Sequence, residues 1–387
     1  MLSEFETLSH SIDDLKPVIE KDIDQAEEQR HLTSEVARAM AMAGLYRIAV
    51  PRSLNGLETH PINQIKAIEA VSEIHGSTGW NLMIGIETMG ILCAFYDPAT
   101  LQALYSDPNL IISGSVNPLG KATKVSGGYR VSGQWPFVSG INNAAYFWCQ
   151  SIVQEKGKPL KDAHGYVFCE SLIPIQELEI IDTWQVSGMR ASGSHDVRLK
   201  EVLVEDPFVC RMQTQTPTAS GSLYQMPIYS RLAYNKVGVA TGITMKAIKS
   251  FIQLATQKKP RGSANLLKDR VEAQNAVADA ERILGSARSY VFEQVNDIWD
   301  TVENGELPTD RQKALLQLAC SGAANETVHA VEKLVSAAGA SANFMSSPLE
   351  RCLRDIGVVR QHIMVSPQHN PAIGRVLLGM ESGSILL

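Results

Sequence analysis

Three short segments hold most of the side chains that could do chemistry. The first, Gln134-Trp135-Pro136-Phe137-Val138-Ser139-Gly140, puts an indole, a phenyl ring and a hydroxyl near the end of a β-type run. Flat apolar rings beside a hydroxyl can wall and anchor a planar heterocycle; the plainer reading is a strand end with a core tryptophan. The second segment, 182–196 (DTWQVSGMRASGSHD), is dense in Gly, Ser and Thr around one Arg. Such hydroxyls and backbone amides suit a polar ligand, and they suit a long hairpin turn equally well. Ser194-His195-Asp196 spells a hydrolase triad within it, but consecutive strand residues point to opposite faces, so no relay is expected. The third segment, 349–363 (LERCLRDIGVVRQHI), offers Arg351, Arg354 and Asp355 as an ion-pair cluster. His362 follows Asp355 by about two helical turns, which predicts a shared face. An imidazole with an ordinary pKa of about 6.5 can act as a base, although a lone His is more often structural.

Several chemistries are absent. No G-x-G occurs, so there is no dinucleotide fingerprint, and there is no P-loop. The six cysteines are scattered without a C-x-x-C pair, and His362 and His369 lie seven apart, so no metal site is expected. A formal net charge of −6 argues against nucleic-acid binding. The N-terminus is acidic and amphipathic without an apolar signal core, and no run nears the roughly 18 apolar residues of a membrane span. A cytoplasmic protein with reduced thiols is the expectation.

The elements that must position these segments follow from periodicity. Phe5, Leu8, Ile12, Leu15 and Ile19 recur at steps of three and four, one face of a helix that Pro17 kinks or ends. A second helix starts near Ser34, its expected N-cap. The apolar stretch 81–95 suits a buried helix. From 109 the pattern changes to short β-type runs separated by Gly, Asn and Pro, the spacing of an antiparallel sandwich or barrel. After 212 a helical period returns, with Val277, Ala280, Leu284, Ala287, Val291 and Ile298 in one stripe and an Ala-rich run over 316–338. The division is a helical domain over 1–108, a β domain over 109–212 and a helical bundle over 213–387.

W-P-F-x-S-G, D-T-W-x-V-S-G-M-R-x-S-G-S-H-D and R-C-x-R-D-I-x-x-x-x-Q-H, in this order, resemble the acyl-CoA dehydrogenase superfamily. The resemblance is closer to its two-component (group D) flavin-dependent monooxygenase branch. It implies an α+β, mainly α fold: an N-terminal helical domain, a central β-barrel or sandwich and a C-terminal four-helix bundle. It also implies a homotetramer, with reduced FMN or FAD between the β domain and the bundle. Trp135, Phe137 and Ser139 would line the flavin ring, and the loop carrying Ser115 and Asn117 would border it. Arg261 would reach the flavin phosphate of a neighbouring subunit.

The dehydrogenases of this superfamily commonly place a base Glu where this chain has Ile363, and an aliphatic side chain cannot remove a thioester α-proton. His362 beside it fits the hydroxylase branch. Many hydroxylases carry a second His after T-G-W; here Thr88 holds that position and Glu87 adjoins it, with Trp80 opening the segment. The resemblance therefore implies a C4a-hydroperoxyflavin that oxygenates a small phenol- or indole-like substrate. O2 and a separate NAD(P)H:flavin reductase would be the partners. Ser139 would support the flavin, His362 would be the general base, and Trp80, Glu87, Thr88 and Ile363 would line the substrate pocket. An FAD-dependent acyl-CoA dehydrogenase or oxidase is the alternative.

Overall fold

The computed structural model describes residues 4–163 and 165–384. Helix α1 (Glu4–Gln29) buries Leu8, Ile12, Leu15 and Ile19 on one face, as their spacing predicts, with Pro17 inside the helix and not at its end. Helix α2 (Ser34–Met42) is capped by Thr33, whose hydroxyl accepts the Val36 N–H at 3.3 Å; Ser34 is the first helical residue and not the cap. Helices α3 (Pro61–Ile74), α4 (Gly76–Leu92) and α5 (Pro98–Tyr105) follow. The stretch expected as a helix over 81–95 thus starts earlier and stops sooner. Every residue of α4 except Ile84 is buried, which explains its nearly continuous apolar sequence.

The central strands are β1 (Ile112–Val125), β2 (Gly128–Val138), β3 (Tyr146–Glu155), the short β4 (Lys158–Pro159), β5 (Lys161–Asp162) and β6 (Gly165–Tyr166), then β7 (Phe168–Pro174), β8 (Glu179–Ile181), β9 (His195–Glu205) and β10 (Val209–Cys210). β5 and β6 pair with each other, and the rest form one sheet in the order β10-β7-β3-β1-β2-β9-β8, with β4 paired to β3. The pairing is mixed where an antiparallel arrangement was expected: β1 and β3 run parallel. The cause is the path of the chain. β2 folds back on one edge of β1, so the returning β3 meets the other edge in the same direction as β1.

One feature of this sheet prepares the site. β1 pairs with β2 only from Lys121↔Ser132 to Val125↔Gly128, whereas β2 continues alone along β9 to Val138↔His195. The start of β1 and the end of β2 therefore diverge. Both carry a register shift there, between Ser115 and Gly120 and between Trp135 and Val138.

The C-terminal helices are α6 (Ser222–Gln225), α7 (Ile228–Gln257), α8 (Val271–Glu303), α9 (Asp310–Ala338), α10 (Pro348–Val359) and α11 (Asn370–Leu377). The stripe Ala280, Leu284, Ala287, Val291 and Ile298 is buried on α8. Helices α7, α8, α9 and α10 pack as a bundle, and α3 and α4 lie against α7. The first and last helical segments consequently share one apolar core, while Trp135, Phe147, Val131, Val197 and Leu199 form a separate core inside the sheet. The six cysteines are free and buried. Among the described residues no helix is long and apolar enough to cross a membrane.

Candidate functional site

The Ser139 hydroxyl lies where the sheet opens. β2 ends at Val138, and Ser139 is bracketed by two tight contacts: Ser113 Oγ donates to its carbonyl at 2.5 Å, and Gly140 N–H donates to Ser192 O at 2.9 Å. Trp80 Nε1 on α4 donates to Ser139 Oγ at 2.9 Å, and Ser194 Oγ stands 2.7 Å away. A hydroxyl has one proton and two lone pairs. Two of its three positions are taken by these protein partners, so one remains for a ligand.

The two aromatic rings of this segment separate. Trp135 is fully buried in the sheet core, edge-on to Phe147 at 5.6 Å, with its indole N–H on Gln150 O at 3.1 Å. A Cβ added at Gly120 would stand 2.2 Å from this indole, so the ring is seated on bare backbone. Trp135 therefore cannot wall a ligand, contrary to the sequence expectation. Phe137 takes that place: its side chain is 70% exposed and stands edge-on to Trp184 at 6.3 Å. Strand alternation would put residues 135 and 137 on the same face. Pro136 supplies no ladder N–H, the register shifts at that point, and Phe137 takes φ +61°, so its ring turns outward. A bulky residue at positive φ is strained, and such strain persists only where the surroundings enforce it.

His362 meets Ser139 through Trp80. Its ring lies edge-on to the Trp80 indole at 5.5 Å. Helix α10 stops at Val359, so His362 does not share a helical face with Asp355; it caps the following 3-10 turn, its Nδ1 accepting Met364 N–H at 3.2 Å. That bond fixes the tautomer. Burial, and then the charge of Lys236, hold the imidazole neutral, well below its usual pKa. A neutral ring that accepts at Nδ1 carries its proton on Nε2 and is a donor there. A general base at Nε2 needs the opposite tautomer, so the geometry corrects the base expected from the sequence.

Behind His362 lies a buried ion pair. Glu87 on α4 contacts Lys236 on α7 at 2.5 Å, their side chains 4% and 2% exposed. Desolvation pushes the Glu87 carboxyl up to about 7 against the pull of Lys236, and desolvation lowers Lys236 against the pull of Glu87. The other Glu87 oxygen, Tyr234 Oη and Asn235 Oδ1 are buried without hydrogen-bond partners. Thr88, expected in a substrate pocket, is instead structural: its hydroxyl lies 2.6 Å from Ile112 O and 2.9 Å from Ile84 O, fastening α4 to β1.

The segment 182–196 is held against this site by α10. Asp355 Oδ1 accepts Met189 N–H at 2.6 Å, and Arg354 donates to Ser187 O. The expected cluster is thus divided. Arg354 pairs with Glu350 at 2.6 Å and Glu27 at 3.4 Å, while Arg351 reaches Asp24 at 3.0 Å. Desolvation, then the neighbouring Glu27, push Asp355 up to about 6. His195 accepts from Trp184 N–H and faces Asp182 at 3.5 Å, away from Ser194, so no triad forms.

Of the remaining expected residues, Ser115 is half-buried and still paired with Cys149 of β3, and Asn117 is exposed in the unpaired bulge of β1 that follows it. Asn117 N–H donates to Ser115 Oγ at 3.3 Å. Ile363 is 48% exposed beside His362. Arg261 sits exposed in the turn after α7. At 1.5 Å per residue, that end of the helix is about 30 Å from Lys236, so Arg261 does not join the site of its own chain. The sequence reading missed Lys236, although a lysine within the run YNKVGVA is a visible anomaly, and it gave no separate role to Ser192 or Ser194.

The arrangement fits a flat redox ring such as a flavin. An exposed phenyl faces an opening in the sheet, a hydroxyl has one position free, and two aromatic or heteroaromatic side chains close the helical side.

Residues 235–367 match the family described as Acyl-CoA dehydrogenase, C-terminal domain. The chain is 28% identical over 357 residues to an indole-3-acetate monooxygenase of Pseudomonas putida, covering 92% of this chain and 89% of that protein. It is 26% identical over 377 residues to the oxygenase component of an FADH2-dependent resorcinol hydroxylase of Rhizobium sp. (strain MTP-10005), covering 92% and 90%. Among solved structures, XiaF from Streptomyces sp., in complex with FADH2 and glycerol, superposes with a TM-score of 0.90 at 22% identity, covering 99% of this chain and 98% of that one.

Proposed function

We propose that this chain, a member of the acyl-CoA dehydrogenase superfamily, is the oxygenase component of a two-component flavin-dependent monooxygenase. It takes reduced FMN or FAD from a separate NAD(P)H:flavin reductase and uses O2 to oxygenate a small aromatic or heteroaromatic substrate. The observation that carries the reading is the continuous link from Ser139 Oγ through the Trp80 indole to the His362 imidazole, with the exposed Phe137 two residues before Ser139. The alternative dehydrogenase is disfavoured, because Ile363 stands where that branch commonly places its base Glu.

Reduced flavin supplies the electrons that activate O2 for insertion of one oxygen atom. The protein's part is to hold, orient and dry the site. Phe137, Ser115 and the bulge carrying Asn117 would flank the ring, and the Ser139 hydroxyl would anchor it by its free hydrogen-bond position. The buried helix α4 excludes water from the opposite side. His362 Nε2–H donates to a substrate oxygen or nitrogen and orients it, with Trp80 and Ile363 as walls. Glu87 acts on the pocket through Lys236 and does not line it. Arg261 serves the flavin phosphate of a neighbouring copy in a homotetramer.

The test is product analysis with a generic flavin reductase, NADH, O2 and a panel of phenols and indoles. Hydroxylated product that requires reduced flavin and O2 is the expected result. An acyl-CoA that bleaches bound flavin anaerobically, with no oxygenated product from the panel, refutes the reading.

A further inference from the structure

Three buried serines stand in a row behind the candidate flavin site. Ser192 Oγ and Ser194 Oγ are 2.7 Å apart, and Ser194 Oγ is 2.7 Å from Ser139 Oγ. Their residues are 1%, 4% and 4% exposed. In an extended strand, side chains two residues apart stand roughly 6.5 Å apart, too far for this contact. Gly193 between them takes φ +58°, and that left-handed residue draws the two hydroxyls together.

Each hydroxyl brings one proton, and Trp80 Nε1 can only donate to Ser139. The row therefore has two hydrogen-bonding directions. Run inward, Ser192 donates to Ser194, Ser194 donates to Ser139, and the Ser139 proton points at the ligand. Run outward, Ser139 donates to Ser194, Ser194 donates to Ser192, and Ser139 offers a lone pair to the ligand. A flavin needs both. Its oxidised ring presents a nitrogen lone pair where its reduced ring presents an N–H.

We propose that Ser194, backed by Ser192, is a positioning residue that lets the Ser139 hydroxyl change from donor to acceptor as the bound flavin changes redox state. The proposal rests on the flavin reading above. Without Ser194, the Ser139 proton has only the ligand side left to occupy. Oxidised flavin keeps its donor, while reduced flavin meets a hydroxyl whose proton has no acceptor.

The test is a pair of titrations of the full-length protein, with FMN and with dithionite-reduced FMN under anaerobic conditions. Ser194→Ala should weaken binding of the reduced form by roughly 5- to 10-fold relative to the oxidised form, the scale of one buried hydrogen bond. Ser194→Thr, which restores a hydroxyl, should recover the wild-type ratio. If Ser194→Ala fails to fold by circular dichroism, Ser192→Ala, which removes the last acceptor of the outward run, should move the ratio in the same direction. Equal weakening of both forms, or an unchanged ratio, overturns the proposal. Wild-type protein that binds neither form overturns the flavin reading instead.

Discussion

Removing one partner of the Glu87–Lys236 pair should make stability depend on pH, with opposite signs for the two partners. The pair is buried on both sides at 2.5 Å, so neither charge has water to fall back on. In Lys236→Met the lone Glu87 must be neutralised. Its folded pKa, already about 7 with Lys236 present, rises further above the ordinary 4.5. A raised folded pKa means that stability is lost as pH rises, by about 1.4 kcal/mol per unit until the folded pKa is reached. In Glu87→Gln the lone Lys236 has a folded pKa depressed below 10.5, so stability is lost as pH falls. The double variant Glu87→Gln, Lys236→Met titrates at neither position and is the reference. Relative to it, Lys236→Met should lose up to about 2.7 kcal/mol between pH 6 and pH 8, and Glu87→Gln should gain up to about 2.7 kcal/mol over the same interval. Urea unfolding followed by tryptophan fluorescence at the two pH values measures both. Two flat profiles, or two slopes of the same sign, would refute the buried pair.

Four other outcomes follow. His362→Ala should keep flavin binding and lower hydroxylation roughly 10²-fold, the scale of one lost active-site donor, whereas His362→Gln, which retains an N–H donor, should recover part of the loss; a Gln variant as inactive as the Ala variant would reinstate the base role. Because burial and Lys236 keep His362 neutral well below its ordinary pKa, the pH–rate profile should show no acid limb near 6.5, and a limb there would contradict the assigned environment. Ser139→Ala should divert reduced flavin to hydrogen peroxide, read by a peroxide assay against product formed; unchanged coupling removes Ser139 from that role. Asp355, raised from 3.8 to about 6 by burial, costs stability as pH rises through that interval, so Asp355→Asn should gain about 1.3 kcal/mol on the wild type between pH 5 and pH 7 in urea titrations.

How far the sequence led depends on whether a feature is set by periodicity or by a local break in it. The succession of helices, strands and helices was legible because the apolar period switches from about 3.6 to 2 and back. Ser139, His362 and Trp80 were legible as residue types in a recurrent order, and they do converge. The exchange of Trp135 for Phe137 was not. A period of two puts both rings on one face, and only the bulge after Pro136, with Phe137 forced to φ +61°, turns one inward and the other out. The end of α10 was hidden for a related reason. No Gly or Pro follows Val359 before His362, so nothing in the sequence stops the helix, and the turn is completed by the His362 ring accepting from Met364. Both failures fall at the proposed site. The strained Phe137, the left-handed Gly193 and the helix that stops short of His362 each break a local rule, and each re-aims a side chain toward the opening in the sheet. A fold that met every local preference here would keep Phe137 inside the sheet, Ser192 out of reach of Ser194, and His362 on the face of α10, with nothing left to grip a planar ligand.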